Sequence, residues 1–377
     1  MHVTDVEAIP LGHDLADGRS LGSSRGQTDT RFTTLVRLET DTGLVGWGEA
    51  FAPARTVATL IEEVLADRVL GLDPFDAAQF VEESYTHGYH FGRAAFTRCG
   101  VAGIDLALHD LQGKETGKPV HRLLGGGAVD SLTPYASTGY VTSWDQPIRE
   151  PMERAVEEGF TAAKIKIGRG VEDDVHRVST AREVMGDDAT IMVDYNGNYR
   201  PKQVLQSVDA IREYDPAWIE EPVPAENLSG FREVSRQVDV PLAAGEAHFS
   251  RFDFRDLIDE RTVDIVQPNL GRCGGFTDAT AIARMATTEN VTVRPHVWNS
   301  GVGVAAAVQF AATVPDYPHN GNVVDPLLFE FDRSENPLRH EILTDPFDPT
   351  GGDLPVPDGP GLGVEVDEDA VERYRVD

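Results

Sequence analysis

Between residue 132 and about residue 335, short apolar runs alternate with longer amphipathic stretches, and this rhythm constrains the fold more than any other feature of the chain. The runs fall at 162–167, 190–194, 217–220, 242–244, 264–267 and 291–294, with helix-like stretches such as 173–185, 202–213 and 277–288 between them. Repeated strand-then-helix units with strands this short imply a parallel sheet covered on both faces. About eight such units fit a closed (β/α) barrel. A doubly wound sheet is the weaker alternative, because no GxGxxG opens a helix here.

The segment before the barrel reads differently. Residues 33–39 (TTLVRLE) alternate like a half-buried strand, Thr42-Gly43 turns the chain, and 44–49 (LVGWGE) return it as a hairpin. Helical periodicity follows over 54–66 and 93–112. The expected organisation is an α+β cap over 1–130, a barrel over 131–335, and a Pro- and Gly-rich C-terminal segment, 336–377, returning to the cap.

Composition narrows the function class. Lys+Arg number 33 against 63 Asp+Glu, a net charge of −30, which excludes the positive face needed for nucleic acid or an anionic membrane. An apolar content of 40% supplies a core and excludes disorder as the default state. Lys114, Lys118, Lys164, Lys166 and Lys202 are the only lysines. An acidic chain so poor in lysine has the composition of a protein kept soluble in concentrated salt, with an ordinary acidic protein as the alternative. Cys99 and Cys273 form no metal-binding or disulfide pattern and read as buried apolar residues. Neither an N-terminal signal pattern nor an 18-residue apolar run is present, so a cytoplasmic location is expected.

Several runs carry a polar residue where the strand should stop. Asp194 ends IMVD, Glu220 ends AWIE and Glu246 follows LAAG, each 26 residues from the next, one βα unit apart. The C-terminal ends of barrel strands converge on one mouth, where barrel enzymes keep their sites. Three carboxylates there repel unless a cation lies between them, and an all-oxygen ligand set suits Mg2+ better than zinc. For any single one, an N-cap or salt-bridge role is the alternative. Lys164 and Lys166 in AAKIKIG share one face of a strand, and their apolar neighbours argue against a surface pair. Desolvation and a nearby cation lower a lysine pKa and poise it as a general base. His296 ends VRPH, 50 residues past Glu246, and at a strand end in this series it reads as catalytic. A metal that chelates a substrate carboxylate and neutralises the enediolate formed on α-proton loss is the chemistry that unites these residues.

These residues resemble the enolase superfamily, mandelate racemase subgroup, over nearly the whole chain. VGWGEA and GIDLALHDLQGKETGKPVHRLLGG are similar to landmarks of the family's cap, and AAKIKIG, IMVDYN, WIEEP, AAGEA and CGG follow in family order. RPHVWNSGVGVAAAVQFAA, FEFDRSENPLR and PDGPGLGVEV resemble the acid-sugar branch that contains galactarate dehydratases and galactarolactone cycloisomerase. The resemblance implies a (β/α)7β TIM-like barrel under its cap, in an assembly of dimers to octamers. It implies Mg2+ held by Asp194, Glu220 and Glu246, with Glu220 rather than Glu221 as ligand. It implies Lys166 as base on one face, Lys164 steadying the substrate carboxylate, and His296 as acid/base on the other face. Glu330 falls where the family places a carboxylic acid hydrogen-bonded to the substrate; a neutral acid there needs a raised pKa, and a salt bridge to Arg333 is the alternative.

One position departs from the pattern. The family pairs its histidine with an aspartate in a PD sequence, but this chain reads QPNL and places Asn269 there. Asparagine orients an imidazole by hydrogen bonding without supplying an anion. A two-way racemase needs two matched bases and suffers most; elimination and cycloisomerisation suffer less. The subgroups that need a lysine on a later barrel strand are excluded, because no lysine follows Lys202. Residues 16–31 are Gly/Ser-rich like a mobile lid, with Arg25 the candidate there for a second carboxylate or hydroxyls. Asn196 and Trp298 are further candidates for substrate binding, and His87, His90 and Arg93 lie in a second polar stretch. The leading expectation is Mg2+-dependent α-proton abstraction from an aldonate, an aldarate or a lactone, ending in dehydration or cycloisomerisation. An α-hydroxy-acid racemase or epimerase and a catalytically silent carbohydrate-binding relative are the alternatives.

Overall fold

The parallel strands form because each run places small or branched apolar residues on both faces of a strand too short to need polar relief. In the computed structural model, which describes residues 1–90, 93, 95–126, 129–144, 146–259, 261–314 and 327–376, they are Ser131–Thr138, Ala162–Lys166, Thr190–Asp194, Ile219–Glu220, Leu242–Ala244, Ile265–Val266, Thr292–Val293 and Leu328–Asp332. The first seven pair in chain order, and the eighth lies parallel to the first. No ladder joins the seventh to the eighth among the described residues; the Val297 amide donating to Glu330 Oε2 at 2.8 Å spans that gap. Helices follow each of the first seven strands, which matches the (β/α)7β expectation.

The interior is layered. Tyr135, Ala162, Met192, Trp218, Ala243, Ile265 and Leu328 fill the floor of the barrel as one apolar cluster. Side chains alternate along a strand, so the next inward position lies two residues on. From that floor, two residues on are Ser137, Lys164, Asp194, Glu220 and Glu330. The polar ring therefore sits one layer above an apolar floor, at the C-terminal ends of the strands.

The cap is a three-stranded antiparallel sheet, Val3–Asp14, Thr30–Thr40 and Val45–Ala50, packed on the helix Phe96–Thr116. The glycines of VGWGEA permit that packing: a Cβ on Gly48 would lie 2.0 Å from the Gly103 carbonyl oxygen. The C-terminal segment reaches both units. Leu354–Pro355 pairs with the first barrel strand, and the Val376 amide donates to Pro10 O at 2.9 Å.

Two sequence expectations change. The cap helix expected from residue 93 begins at Phe96, after Ala95 with φ 49°, and a further helix, Ala77–His87, precedes it. Residues 16–31 do not form a free loop. Leu21–Ser23 and Gly26–Thr28 make a hairpin that pairs with Val141–Thr142, and Ser24 Oγ donates to Tyr195 O at 2.9 Å. Backbone pairing needs no apolar side chains, so Gly/Ser composition did not reveal it.

Candidate active site

The polar ring is built by strand register. Lys166 pairs with Asp194 and Asp194 with Glu220, so these three side chains occupy adjacent positions on three neighbouring strands. Lys166 Nζ lies 2.5 Å from Asp194 Oδ2. Lys164 Nζ lies 2.6 Å from Glu220 Oε1 and 2.9 Å from Glu330 Oε1. Glu246, just beyond the fifth strand, meets His296 Nε2 at 3.1 Å through Oε2. Ligand atoms of Asp194, Glu220 and Glu246 all fall within 4.8 Å of one another.

Burial and charge compete at each of these groups. Burial pushes Glu220 up to about 7, against the pull of the Lys164 ammonium. Glu221 is raised well above the usual carboxylate range by burial and then by the charges of Glu246, Asp194 and Glu220. For Glu246, burial acts upward, but the hydrogen bond from His296 Nε2 and the charges of Lys166 and Arg272 outweigh it and hold the carboxyl well down. Burial of Lys166 acts to lower its pKa, as expected from the sequence, yet Asp194 and Glu246 outweigh it and the amine is held above its ordinary value. Glu330 also departs from expectation: burial raises it, but the Lys164 ammonium, with bonds from Ser137 Oγ (2.7 Å) and the Val297 amide, brings it below the usual range. That direction is opposite to the raised pKa a neutral acid needs, and Arg333 pairs with Glu158 at 2.7 Å rather than with Glu330.

The donor set fits a divalent cation. Five carboxyl groups (Asp194, Glu220, Glu221, Glu246 and Glu330) face two lysines, and Glu221 Oε1 is buried with no hydrogen-bond partner. Oxygen-only donors at this spacing match the preference of Mg2+.

A cavity of about 340 Å3 opens over this ring, lined by Lys166, Glu246, His296, Trp298 and Glu330 among others. Lys164 is 1% exposed and lies beneath it. Asn269 is fully buried behind His296, its Nδ2 2.9 Å from His296 Nδ1. Trp298 lines the cavity, its Nε1 donating to Tyr140 Oη at 3.0 Å. Arg25 and Asn196 are not in the lining. Arg25 is exposed with its guanidinium against Gly197, and Asn196 is a turn residue with φ 45° whose amide donates to Asp194 Oδ1 at 2.7 Å. Exposed His87, His90 and Arg93 do not line it either; residues 91 and 92 of that stretch lie outside the described residues.

Sequence reasoning missed several contributors. Gln267 donates to Glu220 Oε2 at 2.7 Å; it closes the run 264–267 just as Glu220 closes its own, so the strand-end signal was available. Ser137, Tyr140 and Arg272 also line the cavity, as does the hairpin of residues 21–28. Their recruitment depends on strand order and cap docking, which leave no local mark in the sequence.

Comparison with known proteins finds relatives along the whole chain. A family profile described as mandelate racemase/muconate lactonizing enzyme, N-terminal domain, matches residues 16–125, and one described as enolase C-terminal domain-like matches 148–370. D-galactarolactone cycloisomerase of Agrobacterium fabrum is 36% identical over 380 residues, covering 100% of this chain and 99% of the relative. D-galactonate dehydratase of Variovorax paradoxus is 31% identical over 350 residues, 89% of each. The crystal structure of the 3,6-anhydro-D-galactonate cycloisomerase from Zobellia galactanivorans superposes with a TM-score of 0.88 at 30% identity, covering 100% of both chains. Among the described residues, no helix is long and apolar enough to cross a membrane.

Proposed function

The chain belongs to the mandelate racemase/muconate lactonizing enzyme family of the enolase superfamily and is an enzyme, and from that premise we propose that it removes the α-proton of an acid sugar or its lactone, ending in cycloisomerisation or loss of water. The observation that carries this reading is the placement of Lys166 and His296 in one cavity, directly above a triad of carboxylates.

Asp194, Glu220 and Glu246 would hold Mg2+, which would stabilise the negative charge that builds on the substrate carboxylate as the proton leaves. Lys164, charged between Glu220 and Glu330, sets a positive potential beneath that carboxylate. Lys166 is the proton acceptor, once its hold on Asp194 is relaxed. His296 faces the departing oxygen from beyond the seventh strand. Trp298 and Tyr140 form a fixed wall, the Tyr140 hydroxyl donating to Asp332 Oδ1 at 2.8 Å. The names of the galactarolactone and anhydrogalactonate relatives support a lactone or anhydro-sugar acid; that of the galactonate relative supports dehydration.

The test is incubation with a panel of aldonates, aldarates and their lactones in D2O with Mg2+. Keto-acid formation identifies a dehydratase, and lactone rearrangement a cycloisomerase. α-Deuterium in recovered substrate with inversion identifies the epimerase alternative. A panel that yields neither product nor exchange removes the proposal and leaves a silent carbohydrate-binding relative.

A further inference from the structure

Glu49 belongs to the cap, yet its carboxylate is fully buried at the barrel mouth. Each of its partners is a neutral donor. Oε1 accepts from Thr33 Oγ1 (2.9 Å) and Asn299 Nδ2 (2.9 Å); Oε2 accepts from the amides of Ser300 (3.1 Å) and Gly303 (3.0 Å) and from Ser300 Oγ. The Ser300 and Gly303 amides lie at the start of helix Gly301–Ala311, where free N–H groups and the helix dipole favour an anion. Gly303 makes the approach possible, since a Cβ there would lie 2.5 Å from Glu49 Oε2.

From Glu49 a chain of amides runs to the catalytic histidine. Asn299 turns its Nδ2 to the carboxylate, so its Oδ1 faces the other way, accepting from the Trp298 amide (3.2 Å) and from Asn269 Nδ2 (2.8 Å). Asn269 in turn receives the Gly271 amide on Oδ1 at 3.0 Å, and shares its two Nδ2 hydrogens among Asn299 Oδ1, His296 O (3.2 Å) and His296 Nδ1 (2.9 Å). Reversing either amide would set oxygen against oxygen and N–H against N–H at buried positions. Both orientations are therefore determined from outside, by Glu49 at one end and by the Gly271 and Trp298 backbone along the way. An amide NH2 only donates, so the ring atom it meets carries a lone pair. The ring hydrogen then lies on Nε2, which faces Glu246 Oε2 at 3.1 Å.

We propose that Glu49 is a positioning residue which, through Asn299 and Asn269, holds His296 as its Nε2–H tautomer, so that the imidazole offers the cavity a hydrogen-bond donor rather than a proton acceptor. This deepens the function proposed above and rests on it only for the statement that His296 faces substrate. It makes the reaction one-sided: Lys166 takes the α-proton, the oxygen leaves with the electron pair of the broken C–O bond and is held by the His296 N–H, and the proton carried by Lys166 completes the product. An aspartate in place of Asn269 would accept from Nδ1–H and expose a basic Nε2 instead.

The test reads the tautomer directly, without substrate or turnover. In protein labelled with 15N-histidine, with His296 assigned by its absence in His296→Asn, the native ring should give a protonated, pyrrole-type Nε2 and an unprotonated, pyridine-type Nδ1. The opposite pattern overturns the proposal. Glu49→Gln places an amide N–H against at least one donor, so it should populate the second tautomer and lower kcat by about 10- to 100-fold with little change in KM. Thr33→Val removes a donor to Glu49 while leaving the Asn299 contact, and should leave the His296 spectrum unchanged. A folded Glu49→Gln with the native ring spectrum overturns the role of Glu49. Should Glu49→Gln not fold, Asn299→Leu decides, since it cuts the link between Glu49 and Asn269; a shifted ring tautomer supports the relay and a native ring spectrum overturns it. An inactive wild type with the expected spectrum would count against the proposed function and leave the tautomer assignment standing.

Discussion

The two flanks of the barrel mouth are wired differently. On the lysine flank, opposite charges meet directly: Lys164 with Glu220 and Glu330, Lys166 with Asp194. On the histidine flank, Glu246 meets the Nε2 side of His296, but the Nδ1 side is backed by amides, Asn269 and then Asn299, which lead to Glu49. A direct ion pair holds charge but leaves the proton free to redistribute when a third charge enters. A chain of amides carries no charge, yet it dictates which atom donates and which accepts. The lysine flank is thus suited to gaining and losing a proton, and the histidine flank to presenting one fixed donor.

The largest test of this asymmetry is Lys166→Ala. It should lower turnover by about 10^4-fold, near the full worth of a general base, while calorimetry still finds Mg2+ binding; retained activity would erase the distinction between the flanks. Next is the choice between adjacent acids. Glu220→Gln should weaken Mg2+ binding by at least about 10- to 100-fold, and Glu221→Gln by less. An equal or reversed order would reassign the ligand. Asn269→Asp converts the histidine flank to the charged kind. It should slow the forward reaction by about 10-fold and introduce α-deuterium into recovered substrate in D2O, which mass spectrometry would detect; no exchange would mean that the histidine cannot act as a base in either form.

The smallest effect concerns the seam between the flanks, where Asp332 holds Tyr140 and Arg31, and Arg31 stacks 3.7 Å over Trp298. Burial raises the Asp332 carboxyl, but Arg31 and then Arg339 outweigh it, so its pKa lies below the ordinary value. A depressed carboxylate contributes stability above its unfolded pKa of about 3.9, and that stability is lost as pH falls through the folded value. Melting temperature should therefore fall on acidification below about pH 4, and fall less in Asp332→Asn; equal acid sensitivity would remove Asp332 from the seam.

Much of this was readable in one dimension. The repeated runs located six barrel strands, because a buried parallel strand needs an unbroken apolar stretch and nothing else. Asp194, Glu220, Glu246 and His296 stood out as polar residues at strand ends, and Lys164 and Lys166 as charges inside an apolar run. The substrate-binding candidates fared differently. Arg25 and Asn196 were chosen for chemistry and position in the chain; Arg25 lies against Gly197 and Asn196 occupies a turn bonded to Asp194, so neither is among the residues lining the cavity. The directions in which burial and neighbours move the Lys166 and Glu330 pKa values were likewise invisible, because each depends on which carboxylates and ammonium groups the closed ring brings within a few ångströms.

The amino-acid sequence by itself determined the barrel rhythm and the acid triad, since periodicity and residue type are local properties; the replacement of an anion by Asn269 is legible only against the family resemblance. Only the tertiary structure decided that Glu49, 220 residues before Asn269, completes the histidine's surroundings. Hydrogen-bond direction is set by contacts between segments remote in the chain, and no pattern along the chain encodes it.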